Sequence, residues 1–419
     1  MDKKIRFGVF GASRGVSHMR NGVLAGGEVV AVCDKNTKLL EKVKEESFYT
    51  DNIAFYTDFD EFIEHDMDAV VLCNYYHEHA PFAIKAMEKG KHVLSETTAG
   101  STFYDCAELC RAVERTGMKY MLGENYPFTR PGYEMKRVYD TGGIGRVLYA
   151  EGEYVHPIDG APSPLSAELW HWRRWLPRTY YATHALGPLL YMTGLHPKEV
   201  TGYAIPCPEY KSTKNTVDIA GIIMTKTETG AIFRTTGCAG FGAHGSWYRL
   251  ACSKGAIERV RGTSEQVRLN YNEWEMPEDV TEPEQIYAPD WPSHGELAEK
   301  AGHGGGDFWN MYDFFEYIKN GTEPYFTVYN AVDMSLVEIC AWRSVLMGSV
   351  PVKIPDFRDE AVRKQYEHDK LTPFPSNGKE PTLTCSSDPT HVPFYNEPYI
   401  DPSDTDEEKA AKEVLDFKM

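Results

Sequence analysis

The sequence predicts an α/β domain with a doubly wound parallel sheet, followed by an α+β domain with a mainly antiparallel, open-faced sheet. The chain has 419 residues, which is more than one hydrophobic core usually serves. Predicted strands and helices alternate over roughly the first 125 residues, as in parallel sheets covered by helices on both faces. Beyond Gly145 the predicted strands follow one another, and several alternate apolar with polar residues, which is typical of an antiparallel sheet.

The first predicted strand, residues 5–10, breaks at Gly11 into small residues followed by a helix. A tight turn of this kind leaves backbone N–H groups free at a helix N-terminus, where a pyrophosphate can bind. The next apolar run ends at Asp34, where a dinucleotide fold places the acid that holds the adenosine ribose. Ser13 and Val16 stand where the motif expects its second and third glycines, and Val16 predicts looser helix–strand packing. Taken alone, the segment equally fits any strand–turn–helix unit.

Regular alternation continues after Asp34. We predict helices at 37–44, 82–89 and 103–115, a capping box at 58–61, and strands at 54–56, 68–74, 92–96 and 119–123. Pro81 is predicted to begin the helix that Gly90 ends. Polar side chains follow several of these strands and are expected to meet at one edge of the sheet: Asn74, His77, His79, Glu96, Asn125 and Tyr126. For the two histidines alone, solvent-facing loop positions are the favoured interpretation.

The second domain is predicted from β-branched and aromatic runs. Strands are expected at 146–156, 217–227, 231–236, 246–252 and 266–271, with a hairpin turn at 228–230. Two helices, 307–319 and 328–347, close the domain, and residues 273–306 and 371–404 are predicted as loops. The predicted boundaries are 1–125, 126–357 and an extended Pro-rich and acidic tail at 358–419.

Composition excludes several classes of partner. The formal net charge is −18 without a basic stripe, which argues against nucleic acid or anionic membranes. No apolar run approaches the ~18 residues of a membrane span, and the first strand begins within a few residues of Met1, so we expect a cytoplasmic protein without a signal peptide. The nine scattered cysteines fit reduced thiols. No cysteine or histidine set has metal-ligand spacing, so no metal is predicted.

Four segments carry a family resemblance: Gly-Val-Phe-Gly-Ala-Ser at 8–13, Val-Val-Ala-Val-Cys-Asp at 29–34, and the runs 79–96 and 140–146. Together they resemble the Gfo/Idh/MocA family of NAD(P)-dependent oxidoreductases over residues 4–355. The resemblance implies a Rossmann domain and an open-faced sheet domain that holds the substrate and often forms an oligomer interface, so a homo-oligomer is expected. It assigns cofactor contacts to Gly11, Ser13, Arg14, Asp34, Asn74, His77, His79, Glu96, Asn125, Trp172 and Arg173.

One departure concerns the mechanism. The family usually has Glu-Lys-Pro after the fifth strand, and its lysine assists proton transfer from the substrate hydroxyl. Here Glu96 is followed by Thr97 and Thr98. A threonine hydroxyl cannot replace an ammonium as acid or base. Either another group moves the proton or the chemistry differs.

A narrower resemblance rests on Trp-Arg-Arg at 172–174 and on the runs 181–188, 302–307 and 352–357. These are similar to the branch containing NAD-dependent α-N-acetylgalactosaminidases, which also lacks the lysine. In that branch C3 of the sugar is oxidised, the glycosidic bond is eliminated, water adds, and C3 is reduced again. The resemblance implies His184 and Tyr181 as acid/base groups and Tyr126 as a second proton acceptor, although Ala182 and Ala185 depart from its pattern.

The residue types suit these roles. Imidazole exchanges protons near pH 7, and a nicotinamide cation lowers the pKa of an adjacent phenol. Alternatives remain: His184 as a hydrogen-bonded interior histidine, and both tyrosines as core packing. In the Trp- and Arg-rich cluster 170–175, indole faces suit sugar rings, but the cluster also fits a loop pinned to the domain interface. The predicted substrate contacts are His156, Trp175, His303 and Asp307, with a helix N-cap as the alternative for Asp307.

Three functions follow from these observations. The leading one is hydride transfer between NAD and a sugar, glycoside or sugar-like polyol. Asp34 should repel the 2′-phosphate of NADP, which favours NAD, although adjacent Lys35 weakens that preference. The first alternative is a redox-neutral NAD-dependent glycosidase. The second is a non-enzymatic dinucleotide-binding protein.

Overall fold

The computed structural model describes residues 4–157, 171–209, 216–263, 265–375, 380–388 and 390. The first part of the chain forms five helices and six strands. The strands are β1 Arg6–Phe10, β2 Glu28–Cys33, β3 Ala54–Tyr56, β4 Ala69–Leu72, β5 His92–Ser95 and β6 Tyr120–Leu122. The helices are α1 Ala12–Leu24, α2 Thr37–Val43, α3 Phe59–Ile63, α4 His79–Glu88 and α5 Phe103–Thr116.

These strands form one parallel sheet in the order β3-β2-β1-β4-β5-β6. All four residues of β4 are buried, as expected for a strand covered on both faces. The strand order reverses direction between β1 and β4, and such a switch point opens a crevice at the carboxyl ends of the strands. The predicted doubly wound sheet is therefore confirmed.

The remaining elements form the second domain. Its strands are β7 Val147–Val155, β8 Pro197–Pro206, β9 Asp218–Thr227, β10 Ile232–Ala239, β11 Gly245–Cys252, β12 Gly255–Arg259, β13 Val267–Tyr271, β14 Glu284–Tyr287 and β15 Val352–Lys353. Its helices are α6 Arg130–Asp140, α7 Thr183–Thr193, α8 Gly295–Ala298, α9 Gly306–Asn320, α10 Val328–Leu346 and α11 Glu360–Arg363. The sheet order is β14-β13-β12-β11-β7-β10-β9-β8-β15. Among the described strands of this second sheet, only β7 and β10 pair in parallel.

Helix α7 lies directly on this sheet. A Cβ on Gly152 of β7 would lie 1.9 Å from the carbonyl oxygen of Ala185, so only glycine permits the contact. The opposite sheet face carries ion pairs, including Arg234 to Glu151 at 2.7 Å and Arg261 to Glu153 at 3.1 Å. This charged face agrees with the predicted open side of the sheet.

Several element predictions were wrong. The predicted loop 273–306 contains β14 and α8, and β8, α6, β12 and β15 were not predicted. Helix α4 begins at His79, so Pro81 lies inside its first turn rather than at its start. Part of the region predicted as an extended tail packs on the second domain, where Cys385 is buried and Trp342 Nε1 donates to the carbonyl oxygen of Thr384 at 3.0 Å.

The two halves of the chain share a packed boundary. Helix α9 packs against α1, and the ring of Phe315 in α9 lies 5.6 Å from that of Phe7 in β1. A Cβ on Gly27 would lie 2.6 Å from the Phe315 ring, which shows how closely the two halves approach. In the ranges given above, none of the helices combines the length and apolar character needed to cross a bilayer.

Candidate active site

The loop between β1 and α1 is shaped by Gly11, whose φ of 97° strongly favours glycine. A Cβ there would lie 2.4 Å from the carbonyl oxygen of Cys73 at the end of β4. Asp34 holds the loop from β2, because its Oδ2 accepts from the backbone N–H of Ala12 at 2.7 Å. The first N–H groups of α1 have no acceptors within the helix. With exposed Ser13 beside them, they form the cradle that a pyrophosphate requires.

Gly15 corrects one prediction about this loop. A Cβ on Gly15 would lie 2.5 Å from Val9 Cγ1. Close helix–strand packing, which the motif assigns to its third glycine, is therefore present and is supplied one residue before Val16.

The residues after β4 differ in their availability to a ligand. The Asn74 side-chain amide is buried, and neither of its atoms has a hydrogen-bond partner among the described residues. His79 is buried, with Nδ1 3.0 Å from the carbonyl oxygen of Thr98 and Nε2 3.3 Å from that of Asn74. The His77 ring stacks on Phe374, and burial lowers the pKa of His77 to about 4. The Asn74 amide thus retains unused hydrogen-bonding capacity, whereas His79 holds the loop in place.

The Asp307 carboxylate is buried and hydrogen-bonded to side chains from distant parts of the chain. Its Oδ1 accepts from Arg14 at 2.7 Å and from Asn125 Nδ2 at 2.8 Å. Its Oδ2 accepts from Arg14 at 3.0 Å and from Ser17 at 2.8 Å, and it lies 3.0 Å from His303 Nδ1. Burial alone would raise the pKa of Asp307, but these donors hold it well below its usual range. Both oxygens are engaged by neighbouring side chains, and the substrate contact of Asp307 stays a prediction. The N-cap alternative is wrong, because the N-cap of α9 is Gly305 and no side chain caps this helix.

Glu96 forms a second charged junction at the end of β5. Its Oε1 accepts from Arg14 Nε and lies beside His18 Nε2, both at 2.7 Å. Burial favours the neutral acid, yet Arg14 and His18 hold the pKa of Glu96 well below its usual range. His18 was not predicted, because nothing in the helical pattern of α1 distinguishes a buried histidine from a core residue.

His184 is oriented by a carboxylate that the sequence analysis did not assign. Its Nδ1 lies 2.9 and 3.0 Å from the two carboxylate oxygens of Glu124, which is fully buried. Gly187, one turn further along α7, makes room for this acid, since a Cβ there would lie 2.8 Å from Glu124 Cγ. The pair leaves Nε2 as the ring nitrogen without a partner in the described chain. An imidazole held in this way presents a proton acceptor.

Three tyrosines surround the His184 ring. Tyr126, Tyr154 and Tyr181 have ring centroids 4.4, 4.8 and 5.2 Å from it. Burial raises the pKa of Tyr126 to about 12 and also raises those of Tyr154 and Tyr181. Without a nearby cation these phenols are proton donors at neutral pH, which limits the acceptor role predicted for Tyr126. Tyr154 was missed because it reads as an ordinary strand residue of β7.

In the Trp- and Arg-rich cluster, some side chains belong to the hydrophobic core and others lie near the candidate active site. Trp175 is fully buried, so its ring is a core residue rather than the predicted sugar contact. Trp172 stacks on Tyr76 at 5.1 Å, and the Arg173 guanidinium lies 4.3 Å from the Trp172 ring. Arg173 has one buried nitrogen without a partner in the described chain. Trp170 lies outside the described residues.

Two histidines complete this region. The rings of His156 and His244 meet edge to face with centroids 4.7 Å apart, and burial, followed by the proximity of His244 and Arg173, lowers the pKa of His156 to about 4. His303 lies 6.0 Å from the Tyr126 ring and remains partly exposed. Each of these predicted substrate contacts therefore lies beside a tyrosine that contacts His184. Within the described ranges, no three His, Cys, Asp or Glu side chains are grouped to hold a metal ion.

The residues of this crevice fit a pyridine dinucleotide. The Gly11 loop offers N–H groups for the pyrophosphate, and Asp34 retains lone pairs for ribose hydroxyls. Deeper in the crevice, the Asn74 amide and Asn125 Oδ1 are buried polar groups without partners in the described chain. The fold and these groups define the class of the protein as a Rossmann-type dinucleotide-binding enzyme with an open-faced second domain.

Comparisons with known proteins support this class and refine it. Residues 5–124 match the model of the oxidoreductase family with an NAD-binding Rossmann fold, Gfo/Idh/MocA. Residues 242–364 match the C-terminal domain of glycosyl hydrolase 109. The chain therefore combines a Gfo/Idh/MocA NAD-binding domain with a C-terminal domain of the glycosyl hydrolase 109 type. The predicted Rossmann domain and its cofactor, NAD, are confirmed.

Two curated relatives cover most of the chain. A glycosyl hydrolase family 109 protein of Shewanella sp. (strain W3-18-1) is 26% identical over 416 residues and covers 87% of both chains. One from Shewanella baltica (strain OS155 / ATCC BAA-1091) is 27% identical over 393 residues and covers 84% of this chain and 85% of the relative.

Solved structures share the fold. A levoglucosan dehydrogenase in complex with NADH and L-sorbose superposes with a TM-score of 0.72 at 19% identity, covering 84% of this chain and 100% of the other. An aldose-aldose oxidoreductase from Caulobacter crescentus, complexed with glycerol, gives a TM-score of 0.68 at 19% identity with the same coverage. These likenesses establish the two-domain fold. The predicted NAD-dependent enzyme is confirmed by the match of residues 5–124 to the oxidoreductase family.

Proposed function

We propose that the protein transfers a hydride between NAD and a carbon bearing a hydroxyl group on a sugar or glycoside. The observation that carries this proposal is the His184–Glu124 pair, with Nδ1 fixed at 2.9 Å and Nε2 left to accept a proton. The pair is linked to the cofactor crevice, because Tyr126 stacks on His184 and adjacent Asn125 donates to Asp307, which binds Arg14. A chain of direct contacts therefore joins the proposed base to the residues beside the dinucleotide crevice.

His184 replaces the missing lysine in this proposal. Bound NAD supplies the hydride acceptor of the oxidation and the hydride donor of the reverse step. As the hydride leaves the carbon, the hydroxyl proton passes to His184 Nε2, and the Glu124 carboxylate stabilises the resulting imidazolium. Thr97 and Thr98 then need no role as acid or base.

The surrounding groups orient the sugar. The phenols of Tyr126, Tyr154 and Tyr181 remain protonated when buried, so they donate hydrogen bonds to ring or hydroxyl oxygens. His156 lies near both His184 and Arg173, and Arg173 has one buried nitrogen without a partner in the described chain. A polyhydroxylated ligand needs several donors and acceptors converging in this way.

A second candidate, the redox-neutral glycosidase, is favoured by the match of residues 242–364 to the glycosyl hydrolase 109 C-terminal domain. After oxidation at C3, the C2 proton is acidic because its carbanion is stabilised by the ketone. A base removes this proton, the C1–O bond breaks, and the leaving oxygen takes a proton from a phenol. Water then adds to the double bond, and the hydride returns to C3. The relatives from Shewanella are named as family 109 proteins, and their similarity covers 84–87% of this chain.

One assay separates these possibilities. The full chain is incubated with NAD and p-nitrophenyl glycosides in deuterium oxide. Nitrophenol release without net NADH, together with deuterium at C2 of the sugar, indicates the glycosidase. Stoichiometric NADH with an intact glycoside indicates a dehydrogenase. NAD binding without turnover of any sugar, glycoside or polyol would contradict the proposal and leave a dinucleotide-binding protein.

Replacing the base tests the site itself. His184→Asn should lower kcat by roughly 10²- to 10⁴-fold, the usual contribution of general acid–base catalysis, and should leave NAD affinity unchanged in calorimetry. His368→Asn, at an exposed histidine, is the matched control and should turn over normally. An unchanged kcat in His184→Asn would remove His184 from the mechanism.

We also propose that the protein is cytoplasmic and self-associates through the open face of its larger sheet. The nine cysteines are all free thiols, which suits a reducing compartment. The arginines and glutamates on that face can pair across two copies. Sedimentation of the purified protein tests the association, and a monomer at micromolar concentration would contradict it.

A further inference from the structure

A second cavity lies outside the candidate active site and has a different chemical character. It has a volume of about 290 Å³ and lies between α6, α7, α9 and the segment before α10. Its walls include five aromatic residues, which we call the aromatic box: Phe128, Tyr133, Tyr191, Trp309 and Tyr325. None of them belongs to the residues assigned above to NAD or sugar. Small-molecule sites begin at about this size.

The rings of the aromatic box stand as walls rather than as one flat platform. Tyr133 lies at 85° to Tyr191 and at 64° to Trp309. Tyr191 lies at 72° to Phe128 and at 84° to Tyr325. A pyranose stacks on one open ring face, whereas rings near right angles enclose a compact group on several sides. Aromatic faces are negative, so such an enclosure favours a cation.

An unpaired carboxylate faces this enclosure. Asp313 lines the cavity one turn after Trp309 and makes no hydrogen bond or ion pair with any residue in the described ranges. Burial, with a smaller contribution from Glu316, raises the pKa of Asp313 to about 7. A partly buried carboxylate is costly unless a positive group neutralises it. The Lys136 ammonium lies 5.4 Å from the centroid of the Tyr191 ring and already pairs with Asp140 at 3.0 Å.

Other polar groups around the cavity also lack a partner or carry negative charge. Glu316 and Glu323 also line the cavity, which leaves the lining without a positive side chain. Trp309 is 5% exposed, and its Nε1 has no acceptor in the described chain. An indole N–H suits a hydroxyl oxygen on the same ligand.

We propose that the aromatic box and Asp313 bind a small organic cation, an alkylammonium group on a short chain that carries a hydroxyl. The ammonium lies among the ring faces and is neutralised by Asp313. The hydroxyl oxygen accepts from Trp309 Nε1. This site is separate from hydride transfer, so its occupancy does not depend on the proposed function.

Calorimetry on the full chain tests the charge requirement. Choline is the probe, and 3,3-dimethylbutan-1-ol is its neutral isostere of the same shape and hydroxyl position. We expect choline to bind at least tenfold more tightly than the isostere, within the range of desolvated cation–π contacts together with one carboxylate. Equal binding of the two, no choline binding at millimolar concentration, or preferential binding of a free monosaccharide would overturn the proposal.

Substitutions locate the binding. Asp313→Asn keeps the size of the side chain and should weaken choline at least tenfold, and Tyr133→Leu should also weaken it. Glu299→Gln alters an exposed carboxylate that is not part of the cavity lining and should change affinity less than threefold. NAD affinity, which should remain that of the unaltered protein in every variant, reports correct folding. Unchanged choline affinity in Asp313→Asn would overturn the assignment even if the NAD site functions as proposed.

Discussion

Individual carboxylates in the cofactor crevice have different capacities left for a ligand. Both carboxylate oxygens of Asp307 are bonded to neighbouring side chains, namely those of Arg14, Ser17, Asn125 and His303. Asp34 accepts only two backbone N–H groups, from Ala12 at 2.7 Å and Asn36 at 2.8 Å, among the described residues. Each Asp34 oxygen therefore retains a lone pair. From this difference we propose that Asp34 binds the cofactor ribose, whereas Asp307 positions its neighbours.

Asp34→Ala tests that distinction. The substitution removes two acceptors for ribose hydroxyls and the negative charge that opposes a 2′-phosphate. We expect NAD to bind roughly 10- to 100-fold more weakly, since hydrogen bonds to charged groups contribute about 1.5–3 kcal/mol, and the preference for NAD over NADP to relax. Calorimetric titration with both nucleotides measures this. Asp34→Asn keeps one acceptor for the loop, so its NAD affinity should lie between those of the wild type and Asp34→Ala. Unchanged affinities of Asp34→Ala for both nucleotides would refute the ribose-binding role of Asp34.

Residue spacing predicted part of the site and could not predict the rest. Gly11, Asp34 and His184 are recognisable because each stands at a defined position in a local motif. Asp307 and Arg14 are 293 residues apart, and their pairing depends on α9 folding back onto α1. Glu124 was visible as a polar residue after a predicted strand, but its bond to His184 requires the relative placement of β6 and α7.

The β1–α1 loop shows how one element depends on its neighbours. Gly11 and Gly26 flank the same helix and have similar positive φ angles, 97° and 86°. Their surroundings differ completely. A Cβ on Gly11 meets the carbonyl of Cys73 at 2.4 Å, whereas a Cβ on Gly26 meets nothing within 4 Å. A side chain at Gly26 would therefore cause backbone strain alone, whereas a side chain at Gly11 would cause backbone strain and a steric clash.

Gly11→Ala and Gly26→Ala are therefore a matched pair. Both should lose about 1–2 kcal/mol of stability from the left-handed backbone. Only Gly11→Ala must also displace the end of β4, so it should lose NAD binding and unfold at a clearly lower urea concentration. Urea titrations and NAD calorimetry on both variants measure this. If the two variants proved equally stable and bound NAD equally, the loop would not be the dinucleotide cradle.

Elements with strong local patterns were predicted, and those defined by tertiary contact were not. Strands β1, β2 and β4 are apolar runs bounded by turn residues. Strand β8 begins and ends with proline and contains Gly202, all of which disfavour a strand locally. Gly202 is required there because a Cβ would lie 2.3 Å from the carbonyl oxygen of Ala341 in α10. Packing against α10 therefore outweighs the local preference.

At the scale of the whole molecule, Glu338 of α10 joins the two halves of the chain. Its Oε2 lies 3.0 Å from Tyr76 and from Thr98 in the first half, and its Oε1 accepts from the backbone N–H of Ala182 at 2.9 Å. Tyr76 also donates to the carbonyl oxygen of Tyr180. The acid is fully buried, and burial raises the pKa of Glu338 to about 8 despite these donors. The junction is therefore protonated at neutral pH.

This junction predicts how stability depends on pH. A carboxyl group whose pKa is higher in the folded than in the unfolded protein binds more protons when folded, so its contribution falls as pH rises from about 4.3 to 8. Each unit of pKa shift is worth about 1.4 kcal/mol, so the loss amounts to a few kcal/mol. Glu338→Gln cannot ionise and should not show this loss. Urea unfolding at pH 6, 7, 8 and 9 should show the wild-type midpoint falling relative to that of Glu338→Gln, whereas Glu299→Gln, at an exposed acid, should track the wild type. A constant difference between wild type and Glu338→Gln from pH 6 to 9 would mean that Glu338 is already ionised between the two domains.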